Sequence, residues 1–300
     1  MSKRTLAILA AILATTIYGL NHTIAKGVMP DVVMPYGFIM LRVIGAAILF
    51  WGISIFGPKE HIERKDYLRM LLCAFLGMGF NMLAFFKGLS LSTPINSAVL
   101  ITLTPIIVLV LSAILIREKI SKLKIGGIFI GFLGALGLLL LGAEIRQDAP
   151  NIPVGNALII LNAILYGSYL IVAKTLIKKY HPFTFMKWLF TLGIFICLPF
   201  GFGELSEIQW SSMSFEAVWQ ITFVVVGTTF CTYLFNIFAL TQLKASTLSA
   251  FIYVQPLLGI LFAVVMGKDS LTAVKILAAT MVLLGVYLAG RKPKPNPSAS

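Results

Sequence analysis

"LTPIIVLVLSAILIREKIS", residues 103–121, is written a second time 151 positions later as "VQPLLGILFAVVMGKDSLT", residues 254–272. At that shift Pro105 falls on Pro256, Glu118 on Asp269 and Ser121 on Thr272, and each stretch between proline and acid is apolar until its last residues. The match runs on: Lys124, Ile125 and Gly134 fall on Lys275, Ile276 and Gly285, and Gly88-Leu89 on Ala239-Leu240. At a shift of 148, "YGLNHTIAK" (residues 18–26) meets "YGSYLIVAK" (residues 166–174). At a shift of 147, Pro35-Tyr36-Gly37-Phe38 lies on Pro182-Phe183-Thr184-Phe185. The chain is two copies of one unit, joined by the polar stretch "GAEIRQDAPNIP" at residues 142–153.

The composition says what kind of unit this is. Of 300 residues 59% are apolar and only 12% charged, too few charges for the surface of a soluble domain. Apolar residues come in runs of about 20, enough to cross roughly 30 Å of hydrocarbon as a helix. Ten such runs are marked, at 5–26, 34–56, 67–90, 93–116, 124–142, 154–176, 183–202, 216–240, 244–267 and 271–290. They show no period-2 alternation, so they are helices, because a bilayer core accepts only helices or closed barrels. The first run follows Lys3-Arg4, but its length and its repeat partner make it a retained helix rather than a signal peptide.

Charge sets the topology. Counting Lys and Arg at alternate helix ends, with the amino terminus cytoplasmic, puts eighteen on the inner side and five on the outer. The net charge of +13 thus reflects the positive-inside rule, with both termini cytoplasmic, and not a nucleic-acid partner. Five helices per copy is an odd number, so the second copy enters the membrane from the opposite side. The expected fold is an all-α membrane protein of ten transmembrane helices in a 5+5 inverted repeat, the pattern of many secondary transporters. The expected divisions are residues 1–142, the first five-helix repeat; 143–153, a periplasmic linker; 154–290, the second repeat; and 291–300, a disordered cytoplasmic tail rich in Pro and Ser.

Several activities are excluded by what the runs contain. The glycines of "GGIFIGFLGALG" (126–137) sit in a continuous apolar span with no preceding strand and no Lys-Ser/Thr, so they pack helices and do not hold a nucleotide. Cys73, Cys197 and Cys231 lie inside apolar runs and read as small core residues, not a disulfide framework or metal set. No paired carboxylates, Ser-Lys pair, HExxH or nucleophile elbow lies in a span, so the chain is not expected to be an enzyme and no cofactor is implied.

The residues quoted resemble those of EamA-type members of the drug/metabolite transporter superfamily, over essentially the whole length. The resemblance rests on Tyr18, Gly19, Asn21 and Lys26 in the first run and Arg42 in the second. It rests also on Thr-Pro or Gln-Pro followed thirteen residues later by an acid, and on the five-plus-five repeat. Two positions depart from the family pattern: a tyrosine stands in each copy where tryptophan is usual, and Lys268-Asp269 replaces the usual Glu. The resemblance implies a multi-pass exporter of the bacterial inner (plasma) membrane that carries amino acids or related small metabolites. Export of nucleosides, sugars or xenobiotics is the alternative, and a non-transporting membrane scaffold a remoter one. The expected partners are a small-molecule substrate and the lipid bilayer, with the chain a monomer or homodimer.

Polar side chains within a span face protein or a cavity. The candidate substrate-binding set is Tyr18, Asn21, His22, Asn81, Phe85, Asn96, Thr104, Tyr166, Tyr169, Tyr233, Asn236, Tyr253 and Gln255. Any of these is also suited to joining helices by hydrogen bonds. Pro105 and Pro256 each remove a backbone hydrogen bond and are the candidate hinges of a gate. Arg42, the only basic residue well inside a run, is read chiefly as structural, with a carboxylate clamp as the other role its fork allows.

Overall fold

The computed structural model describes residues 2–26, 28, 32–92, 100–140, 150–265 and 272–291. Among helical residues, the side chains of 22, 23, 25, 26, 138–140, 259, 260, 262–265 and 275 lie outside that description. All the regular elements described are helical: α1 (Lys3–Lys26), α2 (Pro35–Ser54), α3 (Arg64–Ala74), α4 (Phe80–Leu91), α5 (Thr104–Leu115), α6 (Lys122–Leu140), α7 (Ile152–Ile177) and α8 (Pro182–Ser206). After these come α9 (Phe215–Thr222), α10 (Thr232–Gln242), α11 (Ala245–Ala250), α12 (Val254–Val265) and α13 (Ala273–Gly290). Among the described residues, six rods are long and apolar enough to cross a membrane: Lys3–Asn21, Pro35–Ser54, Arg64–Leu91, Ile152–Ile177, Pro182–Ser206 and Phe215–Gln242. Shorter apolar helices, Thr104–Leu115, Ala245–Leu258 and Ile276–Gly290, lie in three of the four remaining runs. Large apolar side chains stand exposed along them, Ile48, Ile114, Phe195 and Leu277 each by more than 60%, as suits a protein solvated by lipid tails. This is a multi-pass helical membrane protein.

Lipid is as apolar as leucine, so close backbone approach and buried hydrogen bonds, more than grease, decide how the helices pair. The most extensive packing joins α6 to α13 and α2 to α8, followed by α4 to α7 and α1 to α10. In the α6–α13 seam a Cβ on Gly285 would lie 2.5 Å from the Gly131 backbone, and one on Gly134 would lie 2.7 Å from the Ala278 carbonyl. Only hydrogen fits at these positions. The glycine stripe is spent inside the chain.

The α2–α8 pair is tied at its ends by carboxylates on helix N-termini. Glu204, near the end of α8, accepts from the Tyr36 and Gly37 amides at 2.6 and 2.9 Å. Glu60, beyond the end of α2, accepts from the His181 amide at 2.8 Å, and His181 is the N-cap of α8. Each acid meets the positive end of a helix dipole and amides that the helix leaves unpaired. At the same end of the bundle as Glu60, Lys179 joins Glu63 at 2.6 Å and Asp66 at 2.5 Å. Those hydrogen bonds to Asp66 and Glu63 hold its ammonium above the usual lysine range.

Four interruptions break the rods. α3 passes into α4 through a π-helical stretch, Phe75–Gly79, and α9 into α10 through another, Phe223–Cys231. α11 passes into α12 through a 3-10 turn, Phe251–Tyr253, and a turn at residues 102–103 precedes α5. The last two correct the sequence reading of the prolines. Pro105 stands in the first turn of α5 and Pro256 in the first turn of α12, where a missing amide costs nothing. The break lies just before each proline, not at a kink running through it.

Candidate functional site

Between α1, α2, α4, α7 and α10 the core is not purely apolar. Tyr166 and Tyr169 on α7 hold their rings 6.2 Å apart. Tyr169 is buried, and its hydroxyl finds no partner among the described residues. Tyr233 on α10 donates its hydroxyl to the Gly77 carbonyl at 3.2 Å, and its ring meets Phe190 edge-on at 5.2 Å. Tyr18 on α1 is half-buried and within electrostatic range of Tyr166, Tyr169 and Tyr233. Candidates from three different helices thus converge on one tyrosine cluster, in which Tyr169 leaves a hydroxyl open.

The other candidates fall out as follows. Asn21 lies one turn beyond Tyr18 on α1, with its Oδ1 enclosed and unpartnered among the described residues. Asn81 donates to the Asn162 carbonyl at 3.0 Å while Asn162 returns a bond to the Asn81 carbonyl at 2.9 Å. That reciprocal pair fastens α4 to α7 and uses both amides. Phe85 packs at the edge of the core, 5.3 Å from Phe86. Thr104 is buried at the start of α5, and Asn236 is half-buried on α10. Gln255 is half-buried on α12, its backbone carbonyl close to Gly19 of α1. Tyr253 departs from the cluster: it is fully buried against Gly131 in a separate apolar core with Ile128, Ala278 and Val282, and its hydroxyl is unpartnered. The His22 side chain, Asn96 and Asp269 lie outside the described residues.

Arg42 is 4% exposed and reaches this region from α2. Its Nε donates to Thr229 Oγ1 at 3.0 Å, inside the second π-helical stretch. Its guanidinium lies 5.8 Å from the Phe86 ring centre and within electrostatic range of Tyr233. Phe86 and Thr229 were not singled out by the sequence, since nothing in a lone Phe or Thr of an apolar run announces a partner 187 positions away in the chain.

A second polar cluster closes one end of the bundle. Glu118, expected at a helix end, turns inward and is buried to 5% exposure. Lys124 lies 3.2 Å from its Oε1 and Lys244 3.6 Å, and the Ser246 hydroxyl donates to the same oxygen at 2.7 Å. Burial pushes its carboxyl up, but Ser246 and the two lysines outweigh that and hold it below the usual range. Lys174 bonds the Leu243 carbonyl beside them. Arg117, just before Glu118, has φ 49°, the sole non-glycine residue in the left-handed region among those described. That conformation costs on the order of 1 kcal/mol and is what aims Glu118 inward. Ser121 caps α6, its Oγ accepting from the Lys124 amide at 3.2 Å.

Comparisons with known proteins agree with this architecture. The chain is 28% identical over 281 residues to an uncharacterized transporter of Archaeoglobus fulgidus, covering 93% of this chain and 97% of the other. It is 25% identical over 284 residues to the uncharacterized transporter YoaV of Bacillus subtilis, covering 93% and 95%. A protein of known crystal structure, 16% identical, shares the fold with a TM-score of 0.77 over 95% of this chain and 97% of that one. The model of the EamA-like transporter family matches twice, at residues 5–140 and 153–291. With both stretches of the chain matched, it belongs to the EamA-like transporter family: it is a membrane transporter and not an enzyme.

Proposed function

We propose that the chain is a secondary transporter that exports amino acids or related small metabolites across the bacterial inner membrane by alternating access. It crosses ten times as a 5+5 inverted repeat, residues 1–142 and 154–290 joined by a periplasmic linker at 143–153, with both termini cytoplasmic. One observation carries this reading. Exchange each helix for its equivalent in the other copy, and the packing pairs return to themselves: α4–α7 becomes α10–α1, α5–α7 becomes α12–α1, and α6–α13 and α2–α8 are unchanged. The interruptions exchange too, one π stretch for the other and the turn before Pro105 for the 3-10 turn before Pro256.

Two equivalent sets of broken helices around one polar cluster suit a carrier that opens first to one side and then to the other. The substrate lies between Tyr18, Asn21, Tyr166, Tyr169 and Tyr233. α5 and α12, restarted after their breaks at Pro105 and Pro256, are the gating elements. The cluster around Glu118 bridges the two copies, since Glu118 and Lys124 belong to the first and Lys244 and Ser246 to the second. It serves as the latch of the cytoplasmic gate.

The test is counterflow in proteoliposomes preloaded with a panel of L-amino acids, nucleosides and sugars. Uptake of labelled amino acid, lost with Asn21→Ala and Tyr166→Ala but not with Phe195→Ala on the lipid side, is the expected result. Counterflow confined to nucleosides or sugars would replace the substrate class while keeping the carrier.

A further inference from the structure

We infer that Arg42 is the anchor for a carboxylate on the transported solute, an inference that rests on the transport reading above. The starting point is a buried charge with no opposite charge beside it among the described residues. The other buried charges are compensated: Glu118 faces two lysines and a hydroxyl, and Asp66 faces Lys179 and the Tyr180 hydroxyl at 2.7 Å. Arg42 is buried as deeply, yet no ion pair engages it among the described residues. Of its five N–H donors, one is used there, Nε on Thr229. Withdrawing a guanidinium from water is costly, and here no carboxylate among the described residues offsets it, so the terminal nitrogens are available to an anion brought by the solute.

The single bond also sets how the group faces. Thr229 sends its own hydroxyl proton to the Val224 carbonyl at 2.8 Å, so its lone pair is free to accept from Arg42. Nε is thereby occupied, and the edge bearing the two terminal nitrogens remains. That edge pairs end-on with the two oxygens of a carboxylate. The Phe86 ring lies 5.8 Å from the guanidinium carbon and Tyr233 stands within electrostatic range. Both are neutral, as is Thr229, so the site offers one positive charge. It matches a monoanionic carboxylate better than a doubly charged phosphate.

Arg42 is the eighth residue of α2, roughly 10 Å along the axis from its start. Asn21 lies near the far end of α1, and its enclosed Oδ1 is an acceptor with no donor among the described residues. The carboxylate anchor and an open acceptor suited to an ammonium therefore sit at comparable depths in their helices. A zwitterionic amino acid carries both complements.

The experiment uses the purified full chain in lipid nanodiscs and reads the melting temperature against a panel of L-amino acids, the corresponding carboxamides, acetate, inorganic phosphate and uncharged sugars. An amino acid that stabilises the wild type should bind at least tenfold more weakly as its carboxamide. Arg42→Gln should abolish the ligand shift, Arg42→Lys should weaken it, and Thr229→Val, which frees Nε, should weaken it without abolishing it. Without ligand, Arg42→Gln should change the melting temperature little, because it removes a buried charge that no described carboxylate pairs, against the loss of one bond to Thr229 and the Phe86 contact. Stabilisation by acetate or other monocarboxylates alone would keep the anchor and overturn the amino-acid reading. Equal binding of acid and carboxamide, binding confined to uncharged sugars or to phosphate, or no shift with any probe would overturn the anchor. So would a large drop in the unliganded melting temperature of Arg42→Gln, since that marks a purely structural arginine.

Discussion

Tyr233 gives its hydroxyl proton to the carbonyl of Gly77, 156 positions earlier, and so ties one π-helical stretch to the segment just after the other. A wide turn leaves a carbonyl poorly satisfied within its own helix, and a tyrosine from the neighbouring rod supplies the missing donor. Tyr233→Phe should keep the packing and lose about 1 kcal/mol of stability, read as a modest fall in melting temperature. Gly77→Ala should be far worse, because the new Cβ would sit 2.5 Å from the Tyr169 ring. If Gly77→Ala melts like the wild type and transports normally, that contact is not the constraint it looks to be.

The α6–α13 seam admits an internal control. Gly285→Val forces a side chain into the Gly131 backbone and should cost about 3 kcal/mol or prevent folding. Gly126→Ala, one residue before Gly127 on α6 but with no atom within 4 Å of where its Cβ would stand, should be neutral or slightly stabilising. Thermal unfolding in detergent compares the two. Similar losses from both would mean that helix propensity and not the close approach governs the seam.

Glu118 gives a pH signature. A carboxyl held below its usual range stabilises fully above its unfolded pKa, about 4.3, and that contribution fades as pH falls through the folded value. Glu118→Gln should therefore melt well below the wild type at pH 7, with a cost on the order of 3 kcal/mol, and the gap should close on acidification below about 4. A gap that stays constant or widens in acid would show that Glu118 stabilises by shape and not by charge.

Topology and energy coupling follow from charge placement. Cysteines introduced at 143–153 should react with an impermeant thiol reagent from the periplasm. Reaction from the cytoplasm alone would end the inverted-repeat reading. All eleven acids read from the sequence as loop or helix-end residues, and the buried ones described, Asp66 and Glu118, are ion-paired. The sequence reading leaves no carboxylate in mid-span to titrate, so flux down a substrate gradient should proceed equally with and without a proton gradient. Uphill accumulation driven by a proton gradient alone would contradict this.

What the sequence made legible was periodic: apolar runs near 20 residues long, almost free of charge. Those features are written locally. The glycine seam was half legible, since Gly127, Gly131 and Gly134 announce a close contact without naming Gly285 as its other side. Pair identities were not legible at all. Asn81 and Asn162 look like any two polar residues in apolar runs until α4 and α7 are laid together, and the inward turn of Glu118 depends on a left-handed φ at an arginine that no glycine forewarns. Pro105 and Pro256 pointed to the right places for the wrong local reason, because a proline in a helix's first turn marks a restart as readily as a kink.

Every dominant pairing in this bundle joins an early helix to a late one, and this constrains how the chain can be made. At a synthesis rate of roughly 5–20 residues per second, Gly131 waits roughly 8–30 s in the membrane before Gly285 exists to meet it. Over their own intervals α4, α2 and α1 likewise stand in lipid before α7, α8 and α10 are made. None of these pairings forms before its later helix is made. The early helices are in effect a template held open until their counterparts arrive, and the moment of greatest exposure to misassembly comes midway through synthesis rather than at its end.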